Sequence, residues 1–404
     1  MSQDKNKKIK FTIDNKDFFC DTHFLNANQF IVESIPKPYL VTHEESNNPF
    51  GTISTLLKKN KKNLLIIDKK IFDIYQPNLD VESNRIFIAE AGENFKTLGG
   101  VTEILDFLQK NKFTKSEELI VVGGGTIQDT AAFASGIYKR GISCVQFPTT
   151  LLSMCDSCIG GKASVNYHGV KNQLGLFFPA SAIYINPYFL KTLPQDDINS
   201  GLAEILKSCI IGGNYFIELY CHNVIDGKIK SFSSFKNLIM SSLCIKKSVV
   251  EEDEFEFSHR RSLNYGHTIG HAIESLSDYK ISHGQAVVIG MMIANELSHK
   301  YGLLSLDNLV EYNKLCFDLI TDDTLLYLRN INVNNIIQFI QQDKKTIGNN
   351  IIFVMVKSAG DLYFISSELN EKLFFAIQAS FKTVVNRACT HISNCFPNSE
   401  SHNI

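Results

Sequence analysis

The strongest constraint on the fold lies in the stretch EELIVVGGGTIQDTAAFASGIYKRGISCVQFPTTLL, where a short apolar run meets three glycines, a helical stretch follows, and a second apolar run comes after it. A continuous apolar run without alternation reads as a strand buried on both faces, as strands of parallel sheets are. The same alternation begins at KNLLIIDKK, so βαβ units in a doubly wound, Rossmann-like sheet are expected. After LPQDDINSGLAEILKSCII the pattern turns helical, with 231–252, 263–277 and 284–301 each carrying apolar residues at helical spacing. The exception is NNIIFVMVKSAGDLYFI, where two β-rich runs flank SAGD and predict a hairpin.

A chain of 404 residues exceeds what one core usually organises. The expected division is a polar N-terminal segment over 1–60, packed on an α/β domain over 61–193, then a mainly helical domain over 194–392 and a tail over 393–404. Within the first segment, IKFTI and PYLVTH are expected as edge strands. A net charge of -2 gives no reason to invoke nucleic acid or an anionic membrane. With no run of 18 apolar residues and no apolar leader at the start, the expectation is a soluble cytoplasmic protein. The ten cysteines are scattered and read as reduced thiols. Cys155 and Cys158 form a lone CxxC, with no second one to complete a zinc tetrad.

The turn Gly123-Gly124-Gly125 opens a helix whose unpaired amides and positive dipole end suit a dinucleotide pyrophosphate. Gln128 occupies the last glycine position of G-x-G-x-x-G, so a plain tight connection fits this motif as well. Asp68, ending NLLIID, could accept from a ribose diol or simply cap a helix. Asp129 lies in the first turn of the glycine-turn helix, where the dipole alone favours a carboxylate.

His267 and His271 are four apart and share a helical face, and His283 follows in a loop. The HTIGH spacing lacks the glutamate of H-E-x-x-H, which excludes that class of peptidase. Glu204, an acid inside an apolar helix, could join two imidazoles around a zinc-like ion with an open position, the catalytic pattern. A capped helix with a satisfied core histidine is the plain alternative. CDSCIGGKASVNYHGVKNQLG gathers Asp156, Lys162, Asn166, Lys171 and Asn172 shortly after Arg140, and Lys246, Arg260 and Arg261 flank the histidines. Such a set suits a small, multiply anionic substrate or, more plainly, forms a solvated basic face.

In order along the chain, GENFK, GGGTIQD, YKRG, PTTLL, CDSCIGGKASVN, KNQLG, LKTLP, SGLAEILK, RRSLNYGHTIGHAIE, HGQAV and DKK resemble the 3-dehydroquinate synthases and the wider sugar phosphate cyclase family, over about 63–366. The resemblance implies NAD contacts from Asp68, Glu93, Lys96, Gly124, Gly125, Asp129, Thr149 and Thr150, and zinc or cobalt held by Glu204, His267 and His283. It moves His271 to the substrate side with Asp156, Lys162, Asn172, Lys207, Lys246, Arg260 and Asn264, adds Arg140 at the phosphate, and brings in Lys344 or Lys345. It also implies a homodimer. The chain departs from the family pattern at Gln128, where glycine is expected, at Cys158, where DSS would end in serine, and at KASVN in place of KTGVN.

The activity so implied is elimination of phosphate and closure of a carbocycle, with NAD recycled in every turnover. Lys246 and Arg260 suit a substrate carboxylate, which favours 3-deoxy-arabino-heptulosonate 7-phosphate, and NYGHTIGH points the same way. VNYHGVKNQLG looks more like relatives that cyclise sedoheptulose 7-phosphate or a hexose phosphate. A metal-dependent NAD polyol dehydrogenase is the more distant expectation, and a non-catalytic binding protein would have lost a metal ligand.

Overall fold

The computed structural model describes residues 7–35, 37–342, 350–368 and 370–395. Lys344 and Lys345 lie outside the described residues. The chain divides into two compact units, one formed by Met1–Lys8, Cys20–Gly201 and Ser231–Glu256, the other by Ile9–Phe19, Leu202–Lys230 and Phe257–Ile404. The division is therefore not a single cut near residue 193. The helix Ser234–Glu252 returns to the first unit because Lys246 Nζ donates to Asp156 and Cys244 Sγ donates to the Asp21 carbonyl at 3.4 Å.

The first unit is built on a seven-stranded sheet in the order Gln29–Val32, Tyr39–His43, Ala182–Ile185, Ser143–Pro148, Glu118–Gly123, Leu64–Asp68, Ile86–Ala89. Neighbours run parallel except at the Gln29–Val32 edge. Every residue of Leu64–Asp68 is buried, as a continuous apolar run requires. The helices Leu98–Lys110 and Gly125–Ile137 cover one side through Val101, Ile104, Ile127 and Ala131, which pack with Leu64, Ile66, Leu119 and Val121.

The second unit is mainly helical and carries the predicted hairpin, Asn350–Ser358 and Asp361–Glu368, turning at Gly360 with φ +79°. Its sheet continues through Lys8–Ile13 to Lys16–Asp21. The stretches IKFTI and PYLVTH are thus inner strands and not edges. The edges beside them, KDFFCD and QFIV, are too short and mixed in polarity to announce themselves. Residues 1–60 divide between the two units rather than packing on the first alone. Among the described residues, no helix is long and apolar enough to cross a membrane.

Candidate active site

In the first unit the glycine turn joins Glu118–Gly123 to the helix Gly125–Ile137, with Gly124 as its N-cap. None of the three glycines has positive φ; space is what requires Gly123 and Gly124, whereas a Cβ on Gly125 would meet only Ser157 Oγ at 3.7 Å. A Cβ on Gly123 would meet Ile127 Cβ at 2.7 Å, and one on Gly124 would meet Thr150 Cγ2 at 3.0 Å. The Thr149 amide donates to the Gly123 carbonyl at 3.2 Å, and Thr150 Oγ1 donates to Ser153 Oγ at 2.9 Å, so PTTLL is fastened to the turn. Asp68 caps the following helix through the Lys70 amide at 3.0 Å, and burial raises its carboxyl above the ordinary range.

Asp129 falls in the second turn of the helix Gly125–Ile137, past the first turn expected for it, and pairs with Lys96 at 2.5 Å. Burial raises the Asp129 carboxyl, and the Lys96 ammonium pulls against that rise. Glu93 accepts from Asn166 Nδ2 at 2.6 Å and pairs with Lys171 at 3.1 Å. Asn166 in turn accepts from the Asn172 amide at 3.0 Å, where Asn172 sits at φ +52°. The hairpin Lys162–Tyr167 and Val170–Phe177 therefore ties residues expected at a cofactor to residues expected at a substrate. Lys246 Nζ donates to Asp156 Oδ1 at 2.9 Å, and Lys162 pairs with Glu256, whose place among the acids of EEDEFEF gives no local sign of that partner. Arg140 is exposed at φ +61°, beyond the far end of the helix Gly125–Ile137, about 20 Å along it from the glycine turn. Cys155 and Cys158 are both buried, and burial pushes the Cys158 thiol up to about 12, which suits packing and not redox exchange.

In the second unit, Glu204 rises from the helix Gln195–Gly212 and is fully buried. His267 opens the helix His267–Leu276 and His283 opens His283–Lys300. These two helices meet through glycines: a Cβ on Gly266 would strike Val287 O at 2.8 Å, one on Gly270 would strike Ala286 O at 2.9 Å, and one on Gly290 would fall on the Gly266 carbonyl. Gly266 itself sits at φ +80°, the turn that starts the first helix at His267.

The donor atoms of Glu204, His267 and His283 lie within 4.8 Å of one another. Glu204 Oε1 is 3.5 Å from His267 Nε2 and 3.6 Å from His283 Nε2, too long for hydrogen bonds. Tetrahedral zinc bonds of about 2.0–2.1 Å put neighbouring donors roughly 3.3–3.4 Å apart, so the two distances from Glu204 suit such an ion. The other ring nitrogens are already used: His267 Nδ1 lies 3.2 Å from the Tyr265 carbonyl and His283 Nδ1 lies 3.2 Å from Glu274 Oε2. With Nδ1 held in this way, each ring would turn its Nε2 toward a bound metal, the usual support of a metal-bound imidazole. Burial alone would raise the Glu204 carboxyl, but Lys207 and His283 beside it hold it below the usual carboxylate range. Burial alone would lower His283, but Glu204 and Glu274 raise it to about 9.

Glu274 was legible only as the position seven after His267 on the same helical face. His271 stands beside the cluster, its ring 5.2 Å from that of His267 and 5.9 Å from that of His283, but is not among the three clustered donors. Lys207 pairs with Glu204 one turn along the helix. Arg260 is 2% exposed and lies with Asn264 in the turn His259–Asn264.

The N-terminal model of 3-dehydroquinate synthase matches residues 86–200, and the C-terminal model of the same enzyme matches 201–346. A 3-dehydroquinate synthase of Streptococcus equi subsp. equi is 36% identical over 313 residues, covering 76% of this chain and 86% of the relative. That of Prochlorococcus marinus is 34% identical over 358 residues, covering 84% and 96%. Among solved structures, a 2-deoxy-scyllo-inosose synthase complexed with carbaglucose-6-phosphate, NAD+ and Co2+ superposes with a TM-score of 0.73 at 21% identity, over 89% of this chain and 99% of that one. That last likeness speaks for the fold. Both halves of the family pattern and relatives matched along most of their length lead to one assignment: the chain belongs to the 3-dehydroquinate synthase family.

Proposed function

We propose that the protein is a 3-dehydroquinate synthase, which converts 3-deoxy-arabino-heptulosonate 7-phosphate to a carbocyclic product with loss of phosphate. The observation that carries this reading is the Glu204–His267–His283 cluster, with each imidazole fixed at Nδ1, in a chain 34–36% identical to curated 3-dehydroquinate synthases. When bound, NAD supplies a reversible hydride acceptor and a zinc or cobalt ion supplies Lewis acidity. Glu204, His267 and His283 would hold the ion, and Glu274 would orient His283.

In the first unit Asp68, Glu93, Lys96, Gly124, Gly125, Asp129, Thr149 and Thr150 would serve NAD, with the Lys96–Asp129 pair fixing charge next to the glycine-turn helix. Lys162, Lys171 and Asn172 would grip the phosphate, with Arg140 as a further phosphate ligand, since charge-assisted hydrogen bonds to phosphate oxygens are the strong kind. Lys246 of the first unit, steadied by Asp156, and the buried Arg260 of the second are each a candidate partner for the carboxylate. His271 offers a ring nitrogen to move a proton on the substrate, and Asn264 and Lys207 orient hydroxyls. Assembly as a homodimer in the cytoplasm belongs to the same proposal, and sedimentation of the purified chain checks the assembly.

The deciding experiment follows phosphate release by the zinc-loaded protein with catalytic NAD and 3-deoxy-arabino-heptulosonate 7-phosphate, with the organic product identified by mass. Sustained turnover without accumulation of NADH supports the reading. Turnover only with sedoheptulose 7-phosphate or glucose 6-phosphate would move the enzyme to the cyclitol-forming branch, and stoichiometric NADH would make it a dehydrogenase.

A further inference from the structure

Two departures from the family pattern, Gln128 and Cys158, line the same small recess of the first unit, together with Asp129, Gln146, Ser157 and Lys162. Gln128 lies in the second turn of the helix Gly125–Ile137, is 3% exposed, and neither its Nε2 nor its Oε1 has a hydrogen-bond partner. A buried carboxamide with both polar atoms unmatched is costly, so such a group has a ligand or a bound water as its partner. The recess has a free volume of about 10 Å3, room for about one water. Cys158 turns its thiol to the Met154 carbonyl at 3.4 Å, so it offers bulk where a serine would offer a hydroxyl. The polar group lost at one wall is thus present at another, on Gln128.

We infer that Gln128 is a positioning residue: through one water bound in this recess it steadies the Lys162 side chain for a phosphate oxygen. The inference rests on the reading of Lys162 as a phosphate ligand. Lys162 is half exposed and already paired with Glu256, so an incoming phosphate must compete with that carboxylate. A water that accepts from Lys162 Nζ and donates to Gln128 Oε1 gives the ammonium a second fixed direction without adding a negative charge. Gln128 Nε2 remains as a donor toward the same water or the anion.

The test is calorimetric binding of inorganic phosphate to the full chain loaded with zinc and NAD, for the wild type and Gln128→Met. Methionine keeps the bulk and removes both polar atoms. The expected result is a Kd for phosphate raised about fivefold, a matching rise in KM, kcat within about twofold, and a thermal midpoint unchanged or higher. Should the Met variant fail to fold, Gln128→Leu removes the same atoms and carries the same expectation. An unchanged phosphate Kd, whatever happens to the melting temperature, overturns the inference, because a merely structural amide would move stability and not anion affinity. A wild type that binds no phosphate also overturns it, while phosphate release from the sugar substrate decides separately whether the proposed function stands.

Discussion

Gly290 sits where the helices His267–Leu276 and His283–Lys300 touch, and alanine there would set a Cβ 2.9 Å from both Gly266 C and Gly270 N and closer still to Gly266 O. These are backbone atoms, so no rotamer change relieves the overlap. Restoring ordinary contacts of about 3.5 Å at all of these atoms requires the helices to part by at least roughly 1 Å. The gain in helix propensity from Gly to Ala is about 1 kcal/mol, while overpacking costs about 3 kcal/mol or more, so the net effect is destabilising by roughly 2 kcal/mol. The larger consequence falls on the donors. His267 adjoins Gly266 and His283 begins the other helix, so a shift of roughly 1 Å is several times the ±0.2 Å tolerance of metal–ligand distances. Gly290→Ala should weaken zinc binding on the order of 100-fold, read by competition with a chromophoric chelator, and lower the melting temperature of the metal-free protein. Gly99→Ala, whose Cβ would meet only Thr97 Oγ1 at 3.4 Å, is the control: it should leave zinc affinity unchanged and should not lower the melting temperature. Zinc affinity and melting at wild-type values in Gly290→Ala would refute the claim that close helix approach sets the donor geometry.

Glu204→Ala should lose bound zinc and phosphate-releasing activity together, and stoichiometric zinc by elemental analysis in that variant would remove Glu204 from the ligand set. Arg260→Met should lower kcat/KM for the carboxylated substrate on the order of 1000-fold and for a neutral sugar phosphate by less than about tenfold; equal losses would end the case for a carboxylate contact at this buried guanidinium. His43 is buried with neither ring nitrogen hydrogen-bonded, and burial, with Lys236 adding to it, lowers its pKa to about 4. The unfolded chain then binds the proton first, so stability present above pH about 6.5 is lost as pH falls through about 4, by roughly 3 kcal/mol in all. His43→Leu should flatten the fall in urea midpoint between pH 7 and 4, and an unchanged slope would show that His43 is not the group responsible.

The parallel sheet was legible because burial on both faces leaves apolar runs such as LLIID and ELIVVG with no polar interruption, and the glycine turn was legible because so few side chains fit there. The reason for those glycines was not: none needs positive φ, and only the positions of Ile127 and Thr150 reveal that space is the constraint at Gly123 and Gly124. Lys8–Ile13 was misplaced at an edge because its partners are Asp361–Glu368, nearly the whole chain away, and Lys16–Asp21, whose pattern is weak. No local periodicity reports pairing over such a separation.

The histidine segment shows the same division more sharply. Spacing alone joined His267 to His271, because four residues on a helix share a face, yet the fold joins His267 to His283 and Glu204. The difference arises from Gly266 and Gly270, whose lack of side chains lets His283–Lys300 lie against the first helix, and from Tyr265 and Glu274, which take up the Nδ1 positions. A periodic pattern gives the face a side chain occupies, whereas which nitrogen remains available depends on acceptors contributed by backbone and by a carboxylate seven residues on. Loss of the Glu274 carboxylate would therefore leave His283 in reach of Glu204 but free to turn its ring, which separates the presence of a donor from its direction.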